Sequence, residues 1–314
     1  MATSPPLINV IMPLYNKRPY VRRAIDSIMG QTYTNWELII VDDGSTDASA
    51  DMVPRGNPRL KLLRQANRGP SAARNAAVRS ASGEYLAFID ADDCYYPFKL
   101  EKGIDLLWRD QKAEWMMSAY DYQLNGVTTR RYIKDVNDAE IKEDSAVFDD
   151  ALSQLTVVGW PSDGLFMKKS LFERLGGFNE EIRYGEISEF ILRCALEEPK
   201  VAICHVPLFL HIDVPGSTAK NPAFKTRCTG LRGRIMYGLA KNYPHYSNYL
   251  LHAARDYMTS YASTLILEGE GRKARRFLME EYPFARDRKW FKLWAAGWLP
   301  QWFLGRMSPQ RKRC

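Results

Sequence analysis

The chain has 314 residues, of which 46% are hydrophobic, and carries a net charge of +7, so it is long enough for one large domain, or one domain with an appendage, around a sizeable core. The longest candidate for a membrane span, Leu293 to Gly305, is too short and is interrupted by Pro300 and Gln301. The N-terminus lacks the pattern of a secretion signal and the five cysteines are scattered, which predicts a cytoplasmic protein with reduced thiols.

Short apolar runs alternate with segments of helical spacing in the N-terminal part of the chain. The first run, residues 8–12, is followed by apolar residues at helical spacing behind Pro19, and a helix of small residues begins near Pro70. Further strands are predicted at residues 37–41, 59–63 and 84–89. This alternation predicts an α/β fold with a mostly parallel, Rossmann-like sheet flanked by helices.

The later part of the chain changes in character. Residues 114–222 mix predicted strands, a polar loop and a helix, whereas the pattern beyond Lys225 is mostly helical. We therefore predict one domain over residues 1–224, with halves 1–110 and 111–224, followed by a helical extension over residues 225–314.

Three polar stretches, "PLYNK", "DDGSTD" and "DADD", follow predicted strands and should meet at the carboxyl edge of the sheet, where ligands bind in such folds. In the last of them Asp90, Asp92 and Asp93 crowd three carboxylates together, which is unfavourable without a nearby positive charge. Carboxylate oxygens are hard ligands, so the stretch predicts Mg²⁺ or Mn²⁺ rather than Zn²⁺. The alternative is a cap for a helix starting near Pro97, for which one Asp would suffice.

The longer motifs resemble a known family. "VIMPLYNKRPYVRRAIDSIMGQTYTNWELIIVDDGSTD", "NRGPSAARNAA" and "GEYLAFIDADD" are similar to the nucleotide-binding half of family 2 glycosyltransferases with the GT-A fold. "GGFNEEIRYGEISEFILR" resembles the acceptor-side segment of that family, and the resemblance covers roughly the first two-thirds of the chain. It implies transfer of a sugar from a nucleoside diphosphate, most often UDP, to a hydroxyl acceptor with inversion, as in bacterial surface-polysaccharide synthesis.

The resemblance also implies roles for residues in the donor half. Pro13 and Tyr15 would line the nucleoside pocket, Asp43 would hydrogen-bond the base, and Arg74 would reach the uridine or the phosphates.

Asp90 and Asp92 would form the DxD motif of the family, with Asp92 as the direct ligand of Mn²⁺ or Mg²⁺. A divalent ion bridging the diphosphate oxygens would stabilise the charge that develops on the leaving group.

The general base is harder to assign. The family usually has an acidic pair followed two residues later by another acidic residue, but here Ile187 stands at the second place of the pair, between Glu186 and Glu189. We predict Glu186 as the base, with Glu189 as the second candidate. Helical spacing also allows an ion-paired surface in which these glutamates face Arg193.

Three other residues are candidates for the acceptor or the diphosphate. His211 follows an apolar strand and would approach the diphosphate or the metal, although a lone histidine in this place is more often structural. Trp160 and Asp163, in "GWPSDG", would shape the acceptor pocket by stacking on a sugar and holding its hydroxyls.

The C-terminal extension combines tryptophan with positive charge. From Lys225 onward 18 Lys and Arg oppose six Asp and Glu, a net charge of +12. Four tryptophans recur at every fourth residue: Trp290, Trp294, Trp298 and Trp302. This pattern predicts interfacial helices, broken at Pro300, on an anionic membrane surface at the inner face of the plasma membrane, where the acceptor would be lipid-linked. The alternative is packing against the catalytic domain; nucleic acid is disfavoured because no recognisable module surrounds the tail.

Two other functions compete with the transferase hypothesis. Ile187 in place of an acidic residue favours a non-catalytic nucleotide-sugar-binding scaffold. A nucleotidyltransferase would use a similar sheet and metal site, but it commonly has a glycine-rich loop after the first strand, and "PLYNKRPY" contains no glycine.

Overall fold

The computed structural model describes residues 4–109, 113–131, 143–154, 161–182, 185–214, 222–280 and 288–297. The chain forms two compact units, residues 1–215 and 216–314. Trp160, Trp298 and Trp302 lie outside the described residues.

The first unit contains all the strands that the structure describes. They are β1 Ile8–Leu14, β2 Trp36–Asp42, β3 Leu60–Arg64, β4 Tyr85–Phe88, β5 Cys94–Tyr95, β6 Trp115–Ser118, β7 Tyr120–Leu124, β8 Val127–Arg131, β9 Ser145–Phe148, β10 Phe166–Lys168, β11 Val201–Cys204 and β12 Phe209–Ile212. The helices of this unit are α1 Val21–Met29, α2 Pro70–Arg79, α3 Lys99–Ile104, α4 Ala151–Gln154, α5 Lys169–Arg174 and α6 Glu186–Glu197.

Eight of these strands form one sheet in the order β3-β2-β1-β4-β10-β6-β11-β9. The first four are parallel, and β10 runs antiparallel to both of its neighbours. The side chains of β1 and β2 are almost entirely buried, as expected for a parallel sheet covered on both faces. The predicted α/β fold with a mainly parallel sheet is confirmed.

The order of the strands also fixes where a ligand can bind. The chain proceeds outward from β1 through β2 to β3 and then returns to the other side of β1 with β4. At such a reversal the loops that leave neighbouring strands separate and open a crevice beyond their carboxyl ends. The loops after β1, β2 and β4 therefore border one crevice.

A smaller sheet has the order β5-β12-β7-β8. Its strand β12 pairs with β7 in parallel, which sets His211 beside Tyr122. Because β5 begins directly after the DADD stretch, this sheet carries His211 toward the carboxylates.

The second unit consists of helices α7 Pro222–Asn242, α8 Ser247–Leu267, α9 Gly271–Glu280 and α10 Arg288–Ala296, which agrees with the predicted helical extension. Its core includes Met258, Phe277, Leu278 and Trp290. Trp290 is only 2% exposed, because apolar helix faces are buried against one another. The prediction that its ring lies in a membrane interface is therefore wrong for Trp290. Among the described residues, no helix is long and apolar enough to cross a membrane.

Candidate active site

The loop after β2 is held in place by Asp43. Its carboxylate accepts hydrogen bonds from the side-chain amide of Gln65 at 2.7 Å and from the backbone N–H groups of Arg68 at 2.9 Å and Gly69 at 2.8 Å. Asp43 therefore joins the ends of β2 and β3 to the start of α2. Tyr15, at the end of β1, is 48% exposed, so its ring is open to a ligand at the same edge.

A group of three carboxylates lies at the end of β4. Asp90, Asp93 and Asp163 each present an oxygen, and these oxygens lie within 4.8 Å of one another. Asp163 enters through the short 3₁₀ turn before β10, and its Oδ1 accepts a hydrogen bond from the backbone N–H of Asp90 at 3.0 Å. Asp163, predicted for an acceptor pocket, is fully buried here, and Asp93 belongs to the group although the DxD motif singles out Asp92.

The electrostatics of this group suit a cation. Burial, together with the charges of Asp90 and Asp92, raises the pKa of Asp93 to about 8. Burial and the neighbouring carboxylates also raise the pKa of Asp163 well above its ordinary value. Oδ2 of Asp163 is buried and finds no donor among the described residues, unless a proton is shared with Asp93. A divalent ion would satisfy these oxygens, and their hard character fits Mg²⁺ or Mn²⁺.

Arg74 supplies the fixed positive charge beside this group. It is 3% exposed, and its guanidinium donates to Asp90 at 2.6 Å and to Glu186 at 3.3 Å. Burial alone would raise the pKa of Asp90, but Arg74 holds it below its usual value. The sequence predicted Arg74 as a donor contact, whereas its pairing with Glu186, 112 positions later, follows only from the fold.

The two candidate bases differ sharply in their surroundings. Glu186 is the first residue of α6 and is mostly buried; burial raises its pKa, although Arg74 opposes the rise. Glu189 forms a two-point ion pair with Arg193 at 2.6 and 2.9 Å. Arg193 also donates to the backbone carbonyls of Leu175 and Gly177. Glu186 therefore lies by the carboxylate group, and Glu189 anchors α6 to the preceding loop.

His211 contacts the acidic group through Asp93. Its Nδ1 lies 2.7 Å from Oδ2 of Asp93, whose Oδ1 accepts from the backbone N–H of Ile212 at 2.8 Å. The ring of Tyr122 stacks on the imidazole at 5.6 Å between centroids. When Asp93 is ionised, as a bound cation would favour, it accepts from Nδ1–H of His211, and Nε2 is then the ring nitrogen left for a ligand.

Asp92 is oriented differently from its neighbours. Its carboxylate forms an ion pair with the ammonium group of Lys17, in the loop after β1. Its backbone carbonyl accepts from Arg23 at 3.1 Å. The place of Lys17 in the polar loop "PLYNK" is the only feature of the sequence that hints at this contact.

Comparison with known proteins now assigns the family. Residues 9–175 match the family described as glycosyl transferase family 2. The chain belongs to glycosyl transferase family 2. This family 2 chain is 27% identical over 223 residues to EpsJ of Bacillus subtilis (strain 168), an uncharacterized glycosyltransferase, and the match covers 69% of the chain and 64% of EpsJ. The chain thus spans less than two thirds of the length of that relative.

Solved structures show the fold of this family 2 chain. TarS residues 1–349 of S. aureus superpose with a TM-score of 0.67 at 17% identity, over 97% of this chain and 93% of that one. The complex of the same protein with UDP-GlcNAc superposes with a TM-score of 0.60 at 18% identity, over 92% of this chain and 79% of that one. A third structure is the mannosyltransferase PcManGT of Pyrobaculum calidifontis in complex with GDP-Man and Mn²⁺. It superposes with a TM-score of 0.56 at 20% identity, over 94% of this chain and 85% of that one. The predicted GT-A fold is confirmed.

Proposed function

We propose that this protein transfers a sugar from a nucleoside-diphosphate donor to a hydroxyl acceptor with inversion at the anomeric carbon. The observation that carries the proposal is the carboxylate group of Asp90, Asp93 and Asp163, with Arg74 linking it to Glu186 at the carboxyl edge of the sheet. Family membership supports the same reaction. We propose UDP as the nucleotide; TarS, solved with UDP-GlcNAc, supports UDP, whereas PcManGT was solved with GDP-Man.

The donor would lie across the loops after β1, β2 and β4. Tyr15 and Pro13 would pack on the nucleoside, Asp43 would shape the base pocket through the loop it anchors, and Arg74 would face the diphosphate.

Asp90, Asp93 and Asp163 would hold Mn²⁺ or Mg²⁺, with Asp92 at the rim of the site and Nε2 of His211 available to the diphosphate or the ion. Such an ion neutralises the diphosphate and stabilises it as a leaving group. PcManGT was solved with Mn²⁺, which supports the choice of metal.

Glu186 would take the proton of the acceptor hydroxyl. The acceptor oxygen forms a bond to the anomeric carbon from the face opposite the diphosphate, the bond from that carbon to the phosphate oxygen breaks, and its electron pair leaves with the diphosphate. A carboxylate of raised pKa is a stronger base than an exposed one, which suits this step. Glu189 is the weaker candidate because Arg193 occupies both of its oxygens.

Calorimetric titration with UDP, GDP and dTDP, each with and without Mn²⁺, tests the donor site. We expect one nucleotide to bind in a metal-dependent way, and Asp90→Asn, which removes one of the three carboxylates proposed to hold the ion, to lose most of that dependence. Absence of binding by all three would contradict the proposal.

A non-catalytic scaffold that binds a nucleotide sugar is the second candidate, favoured by Ile187 beside Glu186. It would bind the donor but never consume it. Release of free nucleotide from the donor, followed over time with Mn²⁺ present, therefore separates the two functions.

We also propose that the C-terminal unit holds the protein on the inner face of the plasma membrane, where a lipid-linked acceptor for polysaccharide or glycolipid synthesis would be found. The support is a residue other than the predicted tryptophan: Phe291 on α10 is 54% exposed between the exposed Lys289 and Lys292. An exposed aromatic ring flanked by cations suits an anionic lipid surface.

Co-sedimentation with vesicles tests this surface. We expect binding to vesicles that contain phosphatidylglycerol and little binding to pure phosphatidylcholine. Phe291→Ser and Lys292→Gln should each weaken it, whereas the matched charge change Lys200→Gln in the first unit should not. Equal binding by Phe291→Ser, Lys292→Gln and the unaltered protein would exclude this surface.

A further inference from the structure

Lys17 and Asp92 form an ion pair that the proposed reaction does not use. The ammonium group of Lys17 contacts Oδ2 of Asp92, and the two side chains are 29% and 17% exposed. The pair therefore lies at the mouth of the site, where a ligand can reach it. Asp92 is the one carboxylate of the DADD stretch whose charge is already matched by a lysine.

The backbone of Lys17 is held by hydrogen bonds within its loop region, whereas its ammonium group is held by the ion pair with Asp92. Its N–H donates to Oγ of Ser49 at 2.7 Å, and the N–H groups of Asn16 and Arg18 donate to Ser45 at 3.1 Å and Asp47 at 3.0 Å. These bonds join the loop after β1 to the loop after β2. A four-carbon stem on a clamped backbone lets the ammonium group change partner without any movement of the loop.

A divalent ion on the neighbouring carboxylates would weaken this pair. It would attract the Asp92 carboxylate and repel the Lys17 ammonium group, since both interactions act over a few ångströms in a partly buried site. The donor places a diphosphate at the same edge, and an ammonium group released from Asp92 would find its nearest strong acceptors among the phosphate oxygens.

We propose that Lys17 exchanges partners, from Asp92 in the free protein to the diphosphate of the donor when the metal binds. Lys17 is thus a positioning residue that competes with the metal in the absence of donor and binds the donor in the presence of metal. Binding of either ligand then favours the other, as reciprocal coupling requires. This inference rests on the proposed function of the same site.

The exchange predicts two effects of opposite sign in Lys17→Met. Without its competitor, Mn²⁺ alone should bind about three- to tenfold more tightly, measured by loss of the electron paramagnetic resonance signal of free Mn²⁺. Without its phosphate contact, UDP in saturating Mn²⁺ should bind roughly tenfold more weakly in calorimetry. Lys17→Arg, which keeps the charge, should move both affinities less.

Arg22→Met is the matched control, because it removes one positive charge from an exposed pair with Asp26 on α1. It should leave both affinities within about twofold, as expected for an exposed charge screened by solvent. Thermal unfolding of each variant checks that it is folded.

The possible results distinguish failure of the Lys17 exchange from failure of the proposed transferase function. If the unaltered protein binds Mn²⁺ and UDP but Lys17→Met binds both equally well, or both more weakly, the exchange is refuted and the proposed function stands. If neither protein binds Mn²⁺ or UDP, both proposals fail.

Discussion

Replacing Arg74 by Met is expected to destabilise the first unit by about 2–3 kcal/mol, because it leaves the mostly buried Glu186 and the partly exposed Asp90 without their counter-charge. The melting temperature should fall by roughly 10 °C in scanning calorimetry. UDP binding should fall with it even at temperatures where the variant is folded, since the same guanidinium faces the diphosphate.

A double-mutant cycle identifies the source of the loss. In the background of Asp90→Asn and Glu186→Gln, Arg74→Met should lower the melting temperature by much less, because no unpaired carboxylate remains beside it. Arg22→Met, which breaks an exposed pair, should change stability by less than about 1 kcal/mol. An unchanged melting temperature in Arg74→Met would show that Arg74 does not neutralise this site.

Glu186→Gln is expected to lower turnover by about 10²-fold or more while donor affinity is kept, the usual effect of removing a general base. Because burial raises the pKa of Glu186, the turnover of the unaltered protein should fall as pH drops through that raised value, where the base becomes protonated. Single-turnover assays with a labelled donor measure the rate of transfer, and calorimetry measures donor affinity separately.

Glu189→Gln is the control for this experiment. It should lower stability, because Arg193 loses its partner in a buried two-point ion pair, while turnover per folded molecule stays near that of the unaltered protein. The reverse result, an inactive Glu189→Gln and an active Glu186→Gln, would move the base to Glu189.

The sequence predicted which residues lie at the candidate site better than it predicted which side chains contact one another there. The spacing of four residues on a helix allows Glu189 to pair with Arg193, which was the alternative to a catalytic role for Glu189, and the two side chains do pair. The pairing of Arg74 with Glu186 joins segments 112 positions apart, so no local pattern carries it. Trp290 was interpreted from its spacing as lipid-facing, but the same spacing also places a ring in the core of a helical unit.

The sequence by itself determined the α/β alternation, the crowding of carboxylates after β4 and the basic, helical character of the C-terminal unit, because periodicity and composition act over a few residues. Only the tertiary structure decided which charges meet. It brought Asp163 to Asp90 and Asp93, paired Asp92 with Lys17 and buried Trp290. The physical reason is that burial and ion pairing depend on segments distant in sequence, and in a site of low dielectric these contacts set the charge of each group.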